Sequence, residues 1–179
     1  VVFVGEMRDP EVASIAMRAS LTGHLVLSTL HTNSAVESLV RLEDMGTPPY
    51  LVAGALLIII AQRLVRNVCE NCAEPYEPPD DELVTLGINR TRTEGATFRR
   101  GTGCRRCTET GYFGRAGVFE ILKIDSEIRR LIRQRGTPEE ILECAIGSGM
   151  TTLFDSALER ALRGETTLAE VSRVSYAFK

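Results

Sequence analysis

Four cysteines fall in two short pairs, Cys69-Glu70-Asn71-Cys72 and Cys104-Arg105-Arg106-Cys107, with 31 residues between them. Each pair can present two thiolates to one metal ion from a tight knuckle. Two pairs complete the closed tetrahedral set that structural zinc prefers. The spacer exceeds the about 15–20 residues of a common zinc ribbon, so a large loop must separate the knuckles. Gly103, Gly111 and Gly114 flank the second pair and suit its turns. The other readings are a redox disulfide or four unrelated core cysteines, but a redox pair usually comes singly and opens a helix. With all four positions filled by protein, the expected zinc is structural, not catalytic. Cys144 stands apart and reads as a small buried hydrophobe.

Glu6 follows the apolar run Val1-Val2-Phe3-Val4 and Gly5, just past the C-terminal end of an expected strand. Parallel sheets place their ligands at that end. A carboxylate there can orient and deprotonate a water for attack on a γ-phosphate; it can equally be a helix-start or surface residue. His24 and His31 bracket a second apolar run. His31 leaves at the same edge as Glu6 if the strands are parallel, where an imidazole could contact a phosphate. Alternatively, each histidine caps a strand end by bonding backbone.

These side chains need a scaffold. Val1–Val4 and the stretch from His24 to His31 read as parallel strands buried on both faces. Asp9-Pro10 starts a helix between them, and Asn33 caps a second helix that stops at Gly46. Strand-helix-strand-helix with short connections predicts an α/β domain. Pro48-Pro49 precede what reads as one helix, apolar almost all round, to about Leu64. From Cys69 to Gly117 the composition turns to Pro, Gly, Thr and Arg, and a stretch so poor in core needs a staple. Val118–Ile124 returns as a strand and three helices close the chain, two of them opening on the capping-box patterns Thr137-Pro138-Glu139-Glu140 and Thr167-Leu168-Ala169-Glu170. The chain contains no internal repeat.

Bulk composition narrows the function classes. The chain has 179 residues, 44% hydrophobic and 25% charged, with a net charge of -3, so a global grip on nucleic acid is not expected. Its longest apolar run, Leu51–Ala61, falls short of the ~20 residues of a spanning helix. With no secretory signal pattern and an odd cysteine count, metal in a cytoplasmic setting is favoured over disulfides. The missing initiating Met suggests a chain that starts inside a domain. All but Lys123 and Lys179 of the 21 basic residues are arginine. Seven of these (Arg90, Arg92, Arg99, Arg100, Arg105, Arg106, Arg115) sit near only Glu94 and Glu109. That local excess supports a rival reading: a non-enzymatic, zinc-stapled module for anionic lipid, nucleic acid or an acidic protein.

Taken together, the stretches carry a resemblance. Val1 to Asp9 resembles the Walker B segment of the ATPases of type II secretion and type IV pilus assembly. Leu21 to Asn33 is similar to that family's histidine box. Ala61-Gln62-Arg63-Leu64-Val65-Arg66, both cysteine pairs, Gly111-Tyr112-Phe113-Gly114-Arg115 and Gly164 to Val171 follow in the family's order. The resemblance implies the C-terminal part of a RecA-like P-loop ATPase: residues 1–68 from the core, 69–117 a tetracysteine zinc module, 118–179 a returning strand and helical subdomain. It implies Glu6 as catalytic glutamate and His24 and His31 as nucleotide-sensing histidines. Cys69, Cys72, Cys104 and Cys107 match the zinc ligands, and ATP with Mg2+ belongs to the full-length protein. The expected setting is a cytoplasmic homo-hexamer at the inner membrane. There it would work with platform and cytoplasmic anchor proteins, possible contact with anionic lipid, and no specific nucleic acid. The tetracysteine module favours the assembly or secretion branch over retraction. The phosphate-cradling pattern Gly-x-x-x-x-Gly-Lys-Ser/Thr is nowhere among the 179 residues, so this polypeptide alone is expected to be inactive.

Overall fold

The computed structural model describes residues 1–175 and groups the chain into two compact units. One comprises Val1–Ala61 with Glu120–Thr151; the other comprises Gln62–Phe119 with the segment from Thr152 onward.

In the first unit, β1 (Val2–Val4) pairs in parallel with β2 (Val26–Ser28), Phe3 opposite Leu27. Helix α1 (Pro10–Leu21) connects them; Asp9 accepts the Val12 N–H at 2.9 Å, and Pro10 stands at the first helical position, where it loses no hydrogen bond. Helix α2 (Ala35–Asp44) is capped by Ser34 rather than by the expected Asn33. Ser34 accepts the Glu37 N–H at 3.1 Å, while the Asn33 N–H donates to the Glu37 carboxylate at 2.6 Å. The strands are shorter and barer than expected. Only Val26–Ser28 of the stretch from His24 to His31 is strand, and Phe3 is 72% exposed. Alternating half-buried and exposed residues leave one face of each strand open, so burial on both faces is not realised.

The apolar stretch after Pro48 divides. Helix α3 (Pro49–Ala55) ends where Leu56 turns extended, and β3 (Ile58–Val68) follows. Three consecutive isoleucines, Ile58 to Ile60, favour strand because branching at Cβ restricts their rotamers in a helix. Length and apolarity alone do not separate the two. β3 pairs with β6 (Tyr112–Lys123), which starts six residues earlier than expected. Two helices complete this unit, α5 (Ser126–Arg133) and α6 (Pro138–Gly147); Thr137 and Glu140 form the expected reciprocal capping box. The core gathers Met17, Leu39, Leu42, Val52, Ile128 and Ile132.

The second unit holds the cysteine-rich stretch. Its β4 (Ala73–Pro75) pairs antiparallel with β5 (Arg99–Gly101), and the short α4 (Asp80–Thr85) lies between them in sequence. Helices α7 (Leu153–Leu162) and α8 (Leu168–Ser175) pack together. Among the described residues four helices therefore follow β6 instead of three, because the chain breaks near Gly136, Gly149 and Gly164.

The second capping box forms only in half. The Glu170 N–H donates to Thr167 Oγ1 at 3.4 Å, but the Glu170 carboxylate turns away. It is 1% exposed and accepts the Arg66 backbone N–H at 2.8 Å, Arg66 Nε at 3.0 Å and Arg173 at 2.8 Å. Arg66 in turn lies 4.0 Å from the centre of the Tyr112 ring. Burial pushes the Glu170 carboxyl up, but its bonds to Arg66 and Arg173 outweigh that and hold it below the usual range. Glu170→Ala leaves these donors without their acceptor. A loss of about 2–3 kcal/mol is expected in urea unfolding, since the Arg66 head keeps access to water. A depressed carboxyl stabilises above its unfolded pKa and loses that contribution as pH falls through its folded value. The Glu170→Ala penalty should therefore shrink on acidification below about pH 4.

Candidate functional site

The four cysteines converge. Their Sγ atoms all lie within 4.8 Å of one another. Cys69 to Cys104 and Cys72 to Cys107 are each 3.9 Å apart, and Cys104 to Cys107 is 3.7 Å. A tetrahedron with Zn–S bonds of about 2.3 Å has edges of about 3.8 Å, so the donor set fits zinc.

The backbone builds the pocket. The Cys72 N–H donates to the Cys69 carbonyl and the Cys107 N–H to the Cys104 carbonyl, closing each knuckle. The knuckles are tied to their surroundings by Cys69 N–H to Gly111 O at 2.9 Å and Thr102 N–H to Cys72 O at 3.0 Å. Gly101 and Gly111 meet so closely that a Cβ at Gly101 would fall 2.1 Å from the Gly111 carbonyl oxygen. Only glycine permits that approach.

The sulfurs differ in their surroundings. Backbone donation from Cys107, then the Asn71 amide at 3.3 Å, brings the Cys104 thiol down to about 6. Burial pushes Cys72 up to about 12. Four thiolates cannot crowd together unless a cation balances them. Asn71→Ala removes the side-chain donor to Cys104. Outer-shell partners of this kind carry about 10–100-fold in metal affinity, so zinc affinity by chelator competition should fall by about 10-fold. Cys144 lies apart, half-buried on α6, its thiol raised by burial.

The second group assembles at the C-terminal edge of the two parallel strands. Met7 N–H donates to Thr29 O at 3.1 Å and Thr29 Oγ1 to Gly5 O at 2.6 Å, carrying the β1–β2 pairing past both strand ends. Glu6 and His31 consequently meet, Oε1 to Nε2 at 3.1 Å. Arg8 holds the other oxygen of Glu6 through Nε at 2.7 Å and Nη2 at 2.6 Å. That pairing with Arg8 is the main cause of the lowered Glu6 carboxyl, with a smaller contribution from His31. His31 itself is 86% exposed. His24 is not brought to this group. It sits at the entry to β2, its Nδ1 3.2 Å from the Ala19 carbonyl and 3.3 Å from Thr22 Oγ1, closing the end of α1.

The arginine excess is partly spent within the chain. Arg90 pairs with Asp80 and Arg92 with Asp155, each at 2.7 Å. Arg100 stacks over Tyr76 and Arg106 over Phe113. Composition could not have predicted these partners, because Asp155 is 63 residues from Arg92. Nor does any pattern in the sequence mark Glu120 or Glu170 for burial; from its spacing Glu170 reads as a capping residue.

No helix among the described residues is long and apolar enough to cross a membrane. Residues 1–173 match the family described as type II/IV secretion system protein. The chain is 46% identical over 171 residues to the type IV pilus assembly ATPase PilB of Thermus thermophilus, covering 96% of this chain and 19% of that protein. It is 45% identical over 175 residues to the type II secretion system protein E of Pseudomonas aeruginosa, covering 98% of this chain and 34% of the relative. It thus spans between about a fifth and about a third of these relatives. The α/β fold is similar to the pilus retraction motor PilT (TM-score 0.63, 24% identity, 96% of this chain and 38% of that one). It is also similar to the ATPase DotB of Legionella pneumophila (TM-score 0.62, 21% identity, 97% and 36%). With the match running through nearly the whole length, from the strand before Glu6 into α8, the chain belongs to the type II/IV secretion system protein family.

Proposed function

We propose that this chain is the C-terminal portion of an ATP-hydrolysing motor for protein secretion or pilus assembly. The observation that carries the reading is the Glu6–His31 contact of 3.1 Å at the C-terminal edge of paired parallel strands, where α/β proteins bind and act on ligands. In the full-length protein Glu6 orients the attacking water and accepts its proton. Its carboxyl, held low mainly by Arg8, is ionised throughout the neutral range. His31 contacts the γ-phosphate or senses its loss, and His24 belongs to the same histidine box. The core is RecA-like, and residues 1–68, 69–117 and 118–179 serve as core, zinc module and C-terminal subdomain.

Zinc held by Cys69, Cys72, Cys104 and Cys107 supplies a structural staple. ATP phosphates and Mg2+ would be held by a P-loop, whose pattern does not occur in these residues. The working assembly is a homo-hexamer on the cytoplasmic side of the inner membrane, acting on platform and anchor proteins. The names of the relatives support this reading. The 179-residue chain alone should hydrolyse ATP no faster than buffer in a phosphate-release assay; turnover that survives purification would overturn that. The decisive test of the reading is Glu6→Gln in the full-length protein.

A further inference from the structure

Glu120 is a carboxylate on β6 that is 3% exposed and has no part in the chemistry described above. Its Oε1 accepts the Ala35 N–H at 2.8 Å. Ala35 is the first residue of α2, whose leading N–H groups have no partner within the helix. A negative charge there is also favoured by the helix dipole.

The turn so anchored is continuous with His31. Ser34 caps Glu37, the Asn33 N–H reaches the Glu37 carboxylate, and Thr32 Oγ1 meets Ser38 Oγ at 2.7 Å. Ser38 in turn donates to the Ser34 carbonyl at 3.1 Å. Residues 32–38 therefore form one hydrogen-bonded block, and His31 is the next residue out. On its other side Thr29 is bound to the Glu6 segment through Gly5 and Met7. His31 hangs between two anchors, and its ring, largely in solvent, has little packing of its own.

We propose that Glu120 is a positioning residue: by fixing the first turn of α2, it sets the placement of His31 against Glu6. Its functional meaning rests on the reading of Glu6 and His31 as the hydrolytic pair. The placement itself can be measured without nucleotide.

The chain contains two histidines, His24 and His31, so their imidazole 15N resonances are readily assigned by NMR. Glu6→Gln provides the signal of a His31 no longer facing a carboxylate. In Glu120→Met, which fills the space without an acceptor, the His31 resonances should move towards that reference while those of His24 stay put. Glu120→Gln keeps an acceptor oxygen and should retain the wild-type His31 signal. An unmoved His31 in folded Glu120→Met overturns the proposal, and so does a shifted His31 in folded Glu120→Gln. Should Glu120→Met fail to fold, as judged by circular dichroism, Ala35→Pro removes the N–H that Glu120 accepts at a helix position that suits proline: a shift of His31 towards the Glu6→Gln reference supports the proposal and an unmoved His31 overturns it. The two ideas fail separately: full ATP turnover by full-length Glu6→Gln would remove the hydrolytic reading and leave the NMR result standing.

Discussion

Glu6→Gln in the full-length protein should lower ATP turnover by about 10²–10⁴-fold, the range a positioned general base contributes, with nucleotide binding retained. The amide keeps the shape of the side chain and one acceptor oxygen, so the strand edge and its Thr29 bonds should survive. What it loses is the negative charge and the ability to take a proton. Single-turnover hydrolysis and fluorescent-nucleotide binding measured on the same preparation separate these effects. Equal losses of binding and turnover would place Glu6 in nucleotide binding instead, and unchanged turnover would sink the reading.

The pH profile carries a second signature. The Arg8 bond is the leading cause of the lowered Glu6 carboxyl. Glu6 therefore stays ionised into mildly acidic solution, as the proposed role of base requires. Arg8→Ala removes that bond, so the acid limb of turnover should move to higher pH. The shift should be small and salt-sensitive, because Arg8 is largely exposed.

The other large effect concerns metal. One zinc per chain is expected by elemental analysis, and its removal by chelator should unfold the stretch from Cys69 to Gly111. Structural zinc contributes about 10–16 kcal/mol of apparent binding free energy. That exceeds or matches the about 5–15 kcal/mol net stability of a typical domain. Around the cysteines little else is available: β4 and β5 have three residues each, and α4 has six. Hydrogen exchange should show protection vanishing across this stretch on chelation, while α5 and α6 stay protected. Cys104→Ser should behave like the chelated protein. Metal-free chains with four reduced thiols and undiminished protection would remove zinc as the staple.

Some of this could be read directly from the residues. Two Cys-x-x-Cys pairs specify a four-sulfur site because each knuckle is a local turn, and local turns depend on neighbours in sequence. Asp9-Pro10 and Thr137 to Glu140 announced their helix starts for the same reason: a cap acts within one turn. Parallel pairing of the first two strands followed from the short helix between them, and with it the shared edge of Glu6 and His31. In each case the determining interaction spans a few residues, or one connection too short to permit another topology.

Other features depended on partners far away in sequence. The stretch from Pro48 to about Leu64 reads from its apolarity as one helix; β6, more than forty residues on, provides the pairing that makes its second part a strand. Glu170 was positioned for a capping box, but four donors of Arg66 and Arg173 outweigh a single backbone N–H. Glu120 lies 85 residues from the amide it holds, and no pattern in the sequence joins them. Local turns, caps and ligand spacing belong to the sequence by itself. Which carboxylate is buried, which arginine is neutralised and which apolar run becomes strand belong to the tertiary structure, because only folding brings the deciding charge or hydrogen-bond partner within reach.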